Sequence, residues 1–262
     1  QFIVDDPKGK QYIGKLTTIS NNPADIIPSA DLVLFCLPAF LVEQTLETIK
    51  PYLSSKTIVG SVVGNTGFFI FAHKVLADQP IGLFAFQRVP YISRVVEYGK
   101  KASLLGYKDK LLIATEHISN PQEFCNDISM LFCTPTILLQ SFYEVTLSNS
   151  NPILHTGRLY SMWKNWDGEH YRNNSLFYSS WTDEASDLLI KMDQEFFCLL
   201  EKLGVSTEHL PTLLQHYDVH DAKSLTQKIK SIPAFASILS PMKQISNGWV
   251  PDFESRYFTE DF

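Results

Sequence analysis

Uninterrupted apolar runs, separated by amphipathic ones, constrain this chain more than any other feature. Asp31-Leu-Val-Leu-Phe-Cys-Leu-Pro38 sets six apolar side chains in a row and then stops at a proline. A strand with one wet face alternates apolar and polar residues, whereas a continuous run fits a strand covered on both faces, as in a parallel sheet. Thr57-Ile-Val-Gly-Ser-Val-Val-Gly64 is a second such run and Ile81–Phe86 a third. Between them, Leu41, Thr45, Leu46, Ile49 and Leu53 fall at helical spacing, and Phe68–Leu76 reads as another helix. Strand-like runs at Ala102–Gly106 and Leu111–Thr115 and a helical pattern over Pro121–Phe132 continue the alternation. This order predicts an α/β fold with a Rossmann-type doubly wound sheet.

After residue 150 the β-branched runs thin out. Ala185, Leu188, Leu189, Met192, Phe196, Leu199, Leu200 and Leu203 share one face of a long helix over residues 183–203. Thr182 is placed to cap its start and Gly204 to stop it. Shorter helices are predicted at Glu208–Gln215 and Ala222–Lys230. The expectation is a Rossmann-type domain over 1–145, incomplete at its N-terminus, and an all-helical second domain over 146–262.

Several classes are excluded by composition. Net charge is −6 and the Lys and Arg residues are scattered, so no basic stripe exists to meet nucleic acid. The longest apolar stretches, Leu32–Leu37 and Phe68–Ala72, fall far below the ~20 residues of a membrane span. Cys36, Cys125, Cys133 and Cys198 show no CxxC spacing and read as reduced thiols of a cytoplasmic protein. His216 and His220 stand four apart beside acids, a spacing that can bind metal. Asp218 and Asp221 look instead like cap residues between two helices, and no metal is expected.

Doubly wound sheets bind ligands at the carboxyl ends of their strands. Leu37-Pro38-Ala39 and Gly64-Asn65 lie at two such ends, which makes Leu37, Pro38 and Asn65 the candidates to meet a flat cofactor; simple strand termination is the competing reading. No GxGxxG occurs to cradle a pyrophosphate at a helix N-terminus. The opening residues, Phe2-Ile-Val followed by Asp5-Asp6-Pro7-Lys8-Gly9 and Tyr12-Ile-Gly-Lys-Leu16, look like a hairpin and not a first Rossmann strand. A first βαβ unit of about 50 residues is therefore expected upstream of Gln1.

Four segments, in order, resemble the opine (octopine/nopaline) dehydrogenase family. They are Ser29-Ala-Asp-Leu-Val-Leu-Phe-Cys-Leu-Pro-Ala-Phe40, Val89-Pro-Tyr-Ile-Ser-Arg94 with Gly106-Tyr-Lys108, Asn151-Pro-Ile-Leu-His155, and Arg256-Tyr-Phe-Thr-Glu-Asp261. The resemblance implies NAD or NADP as cofactor and a reductive condensation of an amino acid's amine with a 2-oxo acid. It implies that His155 is the catalytic acid/base, since an imidazole can give and take a proton near neutral pH. Asp261 would accept a hydrogen bond from the ring and fix its tautomer. Arg256 would pair with the oxo-acid carboxylate, which suits its planar fork. Asn65 and Ser93 would line the substrate pocket, although the family commonly has Cys at the position of Ser93. The implied partners are small-molecule substrates, with no nucleic acid or membrane, and the protein would be a monomer or homodimer.

Two rivals stay open at this level. Another reductase on the same two-domain plan, ketopantoate-reductase-like or glycerol-3-phosphate-dehydrogenase-like, would rely on a lysine such as Lys164 or Lys191. A noncatalytic binding module of the same fold would explain the missing glycine turn.

Overall fold

The computed structural model describes residues 1–64 and 67–259. The chain divides into two compact units, Gln1–Ser148 and Asn149–Phe262.

The first unit runs β1 (Phe2–Asp5), β2 (Gln11–Gly14), β3 (Leu32–Phe35), α1 (Val42–Ile49), β4 (Ile58–Ser61), α2 (Phe68–Val75), β5 (Gly82–Phe86), β6 (Tyr91–Glu97), β7 (Lys101–Tyr107), β8 (Leu111–Glu116), α3 (Pro121–Phe132), β9 (Thr136–Leu138) and α4 (Tyr143–Thr146). Its central sheet has the order β3-β4-β5-β8-β9. Strands β3, β4 and β5 are parallel, as are β8 and β9, while β5 and β8 pair antiparallel, Phe84 opposite Thr115.

Every residue of β5 is buried, and the pleat divides them between two cores. Leu83 and Ala85 join Val42, Leu46, Phe68 and Phe69 of α1 and α2 on one face. Phe84 and Phe86 join Cys125 and Ile128 of α3 on the other. Burying each such phenylalanine contributes about 1.5–3 kcal/mol, which explains why the strand carries no polar position. Gly60 of β4 is glycine for a packing reason: a Cβ there would stand 1.9 Å from the Phe84 ring.

A second sheet, of order β2-β1-β7-β6, stands apart from the first. The strand expected at Ala102–Gly106 is therefore real but does not belong to the doubly wound sheet. In β7 only Leu104 is buried, and β6 is exposed at nearly every residue, so neither suits a sheet covered on both faces. β1 pairs antiparallel with β2 and parallel with β7, Ile3 opposite Lys101. Asp6, 8% exposed, fastens this arrangement. One carboxylate oxygen accepts the N–H groups of Lys8 and Lys10 at 2.8 Å, and the other accepts the Tyr107 hydroxyl at 2.9 Å.

The second unit contains α5 (Asn151–Trp163), α6 (Asp183–Lys202), α7 (Leu213–Tyr217), α8 (Ala222–Ser231), β10 (Met242–Ile245), β11 (Gly248–Pro251) and α9 (Arg256–Thr259). Its core joins Leu154 and Leu159 of α5, Leu189 of α6, Leu225 and Ile229 of α8, and Phe177, Tyr178 and Trp181 of an irregular segment. Gly157 lets α5 approach α6 closely, since a Cβ there would stand 2.7 Å from Leu189 Cδ1.

Helix α6 has the expected ends: Thr182 Oγ1 accepts the Ala185 N–H at 3.2 Å, and Gly204 sits at φ +65. The unit is not purely helical, because β10 and β11 form a hairpin whose Trp249 also bridges Tyr171. Helix α7 starts at Leu213 and not at Glu208, since Pro211 precedes the capping box that Thr212 forms with Gln215. Asp218, at φ +54, ends α7, and Asp221 caps α8, so His216 lies in the last turn of α7 and residues 218–221 connect the two helices. Among the described residues no group of three or more His, Cys, Asp or Glu is placed to hold a metal. None of the described helices is long and apolar enough to cross a membrane.

Candidate functional site

Asn151 and Pro152 occupy the first two positions of α5, where a missing N–H costs nothing, and His155 follows in its first turns. Leu154, Arg158 and Leu159 face the core, and His155 is half-buried beside them. The irregular segment before α6 folds back against this face. Its anchor is the Phe177 N–H, which donates to the Ile238 carbonyl at 2.8 Å.

Tyr178 of this segment, only 4% exposed, places its hydroxyl 3.0 Å from His155 Nε2. Which atom donates depends on the tautomer. The Tyr178 ring is stacked on Phe235 with centroids 4.2 Å apart. The imidazole meets the Tyr257 ring at 4.6 Å and the Phe177 ring at 6.1 Å, both edge to face. Aromatic walls thus orient the ring, and a hydroxyl meets one of its nitrogens. A group so held can exchange a proton along a fixed direction.

The structure brings the C-terminal turn to His155 through Tyr257, the second residue of α9. Arg256, the first, is exposed. Asp261 and Asn65 lie outside the described residues.

In the first unit, Leu37 and Pro38 follow the carboxyl end of β3 and are exposed, and Phe40 beside them is 74% exposed. These residues form an exposed apolar surface at the end of β3. Gly64 has a different origin: a Cβ there would lie 2.4 Å from Val145 Cγ1 and 2.7 Å from Ala85 Cβ. Its smallness is explained by the packing of α4 against β5, without any ligand. Ser93 stands exposed on β6, in the separate four-stranded sheet. Lys164, the rival catalytic lysine, forms an ion pair with Glu184, and Lys191 is exposed.

Sequence reasoning missed Tyr178 and Arg158. Tyr178 sits in an aromatic-rich stretch without periodicity, where nothing distinguishes it from a core residue. Arg158 did leave a signal: it is a charged residue three positions after His155, flanked by Gly157 and Leu159. A cation among core positions of a helix needs a reason.

Residues 138–262 match the family model described as NAD/NADP octopine/nopaline dehydrogenase, alpha-helical domain. The opine dehydrogenase of Haliotis discus hannai is 27% identical over 94% of this chain and 65% of its own length. The tauropine dehydrogenase of Arabella iricolor is 26% identical over 93% of this chain and 66% of its own. The chain thus spans about two thirds of the length of these curated relatives. Octopine dehydrogenase, solved with NADH and L-arginine, superposes with a TM-score of 0.82 at 24% identity, covering 99% of this chain and 69% of that one. That likeness shows a shared fold.

Proposed function

We propose that this protein, whose residues 138–262 match the helical domain of the opine dehydrogenase family, condenses an amino acid's amine reductively with a 2-oxo acid, using NADH or NADPH. The amine adds to the oxo carbon, water leaves, and the resulting imine is reduced to an N-(carboxyalkyl) amino acid. When bound, the nicotinamide supplies the hydride for that reduction. Leu37 and Pro38, with Asn65, are the residues that would hold it.

His155 exchanges a proton with the reacting nitrogen or with the departing water. Tyr178 holds the ring through Nε2 and restrains the rotations that would aim it elsewhere. Asp261 lends a negative charge that favours the protonated imidazole. Arg256 pairs with the oxo-acid carboxylate, and Asn65 and Ser93 contact the substrates. The partners are small molecules, without nucleic acid or membrane, and the protein works in the cytoplasm as a monomer or homodimer. The printed activities of the relatives, opine and tauropine dehydrogenase, differ in name, so the amine is left at the level of its class.

The observation that carries this reading is the His155–Tyr178 pair inside an aromatic wall, in the unit that matches the family. The test is His155→Ala in the full-length protein, following NAD(P)H oxidation with pooled amino acids and 2-oxo acids. Oxidation that needs both pools and falls by about 10²–10⁴-fold in the variant is expected for a lost acid/base group. Undiminished turnover, or turnover without an amine, would overturn the assignment.

A further inference from the structure

We propose that Arg158 is a positioning residue: its guanidinium grips the two carbonyls that bracket Tyr178 and thereby holds the tyrosine hydroxyl on His155. The inference rests on the reading of His155 as the proton-transfer group. Arg158 lies one turn beyond His155 on α5 and is 4% exposed. Its Nε donates to the Phe177 carbonyl at 3.1 Å and its Nη2 to the Ser180 carbonyl at 2.8 Å. The guanidinium carbon lies 5.2 Å from the Trp181 ring and 5.9 Å from the Phe177 ring.

A buried cation is ordinarily paired with a carboxylate. Among the described residues Arg158 forms no such ion pair; backbone carbonyls and aromatic faces take that place. Burial pushes its pKa down to about 10, which leaves it charged at neutral pH. A mere filler of this space would be cheaper as Leu or Met, which carry no charge to desolvate. What only Arg supplies is a rigid fork with donors at fixed angles, able to hold two carbonyls three residues apart; a lysine is a point charge on a flexible stem.

Residues 177–180 form turns, tied to the 236–239 segment by the Phe177 N–H on the Ile238 carbonyl and the Ser179 hydroxyl on the Ala236 carbonyl; the fork adds a restraint on the carbonyls at both ends of the turn. The same turn carries Phe177, whose ring lies 5.9 Å from the guanidinium carbon and 6.1 Å from the imidazole. If this turn shifts, both the hydroxyl and one wall of the imidazole's box move with it.

The test is Arg158→Lys and Tyr178→Phe, alone and combined, in the full-length protein. Turnover, KM, thermal midpoint and the imidazole ¹⁵N shifts of His155 are read for each. Arg158→Lys is expected to move the imidazole shifts and lower kcat roughly tenfold, with KM changed much less. In the Tyr178→Phe background it should cost little more, since the two residues act as one unit. Unmoved imidazole shifts with a lowered thermal midpoint, or losses that simply multiply, would overturn the proposal.

If Arg158→Lys does not fold, the unaltered protein still decides the matter. The Arg158 Nε–H resonance should follow the imidazole titration, and a resonance that stays fixed through it counts against the coupling. Turnover that survives His155→Ala while Arg158→Lys still moves the imidazole shifts would sink the catalytic reading and support the grip on Tyr178.

Discussion

Tyr178 differs from phenylalanine by one hydroxyl, and that hydroxyl meets His155 Nε2 at 3.0 Å inside an otherwise aromatic enclosure. Tyr178→Phe keeps the stacking on Phe235 and removes the hydrogen bond. A stability loss of about 1 kcal/mol is expected, together with a larger proportional loss of turnover than of substrate binding. Equal kinetics in the two proteins would show the hydroxyl to be a bystander. Gly64→Ala tests a different kind of contact. The added methyl would press on Val145 and Ala85, and about 1–3 kcal/mol should be lost, read as a lower urea midpoint. An unchanged midpoint would mean that α4 moves aside freely. His155 stood out as a candidate at this scale only because the surrounding segment resembles a family pattern. Tyr178 was not, because its role comes from a turn that folds back across twenty-three residues, and a one-dimensional pattern carries no such information.

Among the elements, α6 was the most legible, since twenty residues of amphipathic helix are bounded by a capping threonine and a left-handed glycine. Short elements were the opposite case. β6 is exposed on both faces and so shows neither alternation nor a continuous apolar run. β9 has three residues, and β10 and β11 four each, too few for a period to register.

Asp193 of α6 offers a test of how the helices are joined. Its Oδ2 accepts the Leu213 N–H at 3.0 Å, at the first turn of α7. Burial raises its pKa, and the bond from Leu213 opposes this only in part. A carboxyl with a raised folded-state value holds its proton longer in the native protein than in the unfolded chain. Its contribution to stability is therefore fully present below the unfolded value, near 4, and is lost as pH rises through the folded one. Asp193→Asn keeps an acceptor without charge, so it should remove this fall and equal or exceed the parent protein at pH 7. Asp193→Ala should cost about 1–3 kcal/mol by leaving the buried N–H unpaired. Denaturation at pH 4 and pH 7 separates the cases; a fall of the same size in the parent and in Asp193→Asn would contradict the assignment.

At the scale of the whole molecule, each unit has its own core. Residues between Ile27 and Val145 make up the cores of the first, and residues between Ile153 and Phe258 that of the second. Calorimetry of Gly64→Ala and Asp193→Ala should therefore move different parts of the unfolding profile. A single transition displaced alike by both would show that the cores melt as one. The alternation of strands and helices made the class of the first unit readable. The reversal of β8 against β5 was not, because a buried strand looks the same in either direction.

The parallel pairing of Ile3 with Lys101 has a temporal consequence. During synthesis, the opening hairpin emerges almost a hundred residues before the strand it must lie beside. A lone two-stranded ribbon is marginal in water, so it has to wait, unfinished, while the neighbouring sheet assembles. Its late docking leaves this segment open to wrong partners on the ribosome in the meantime.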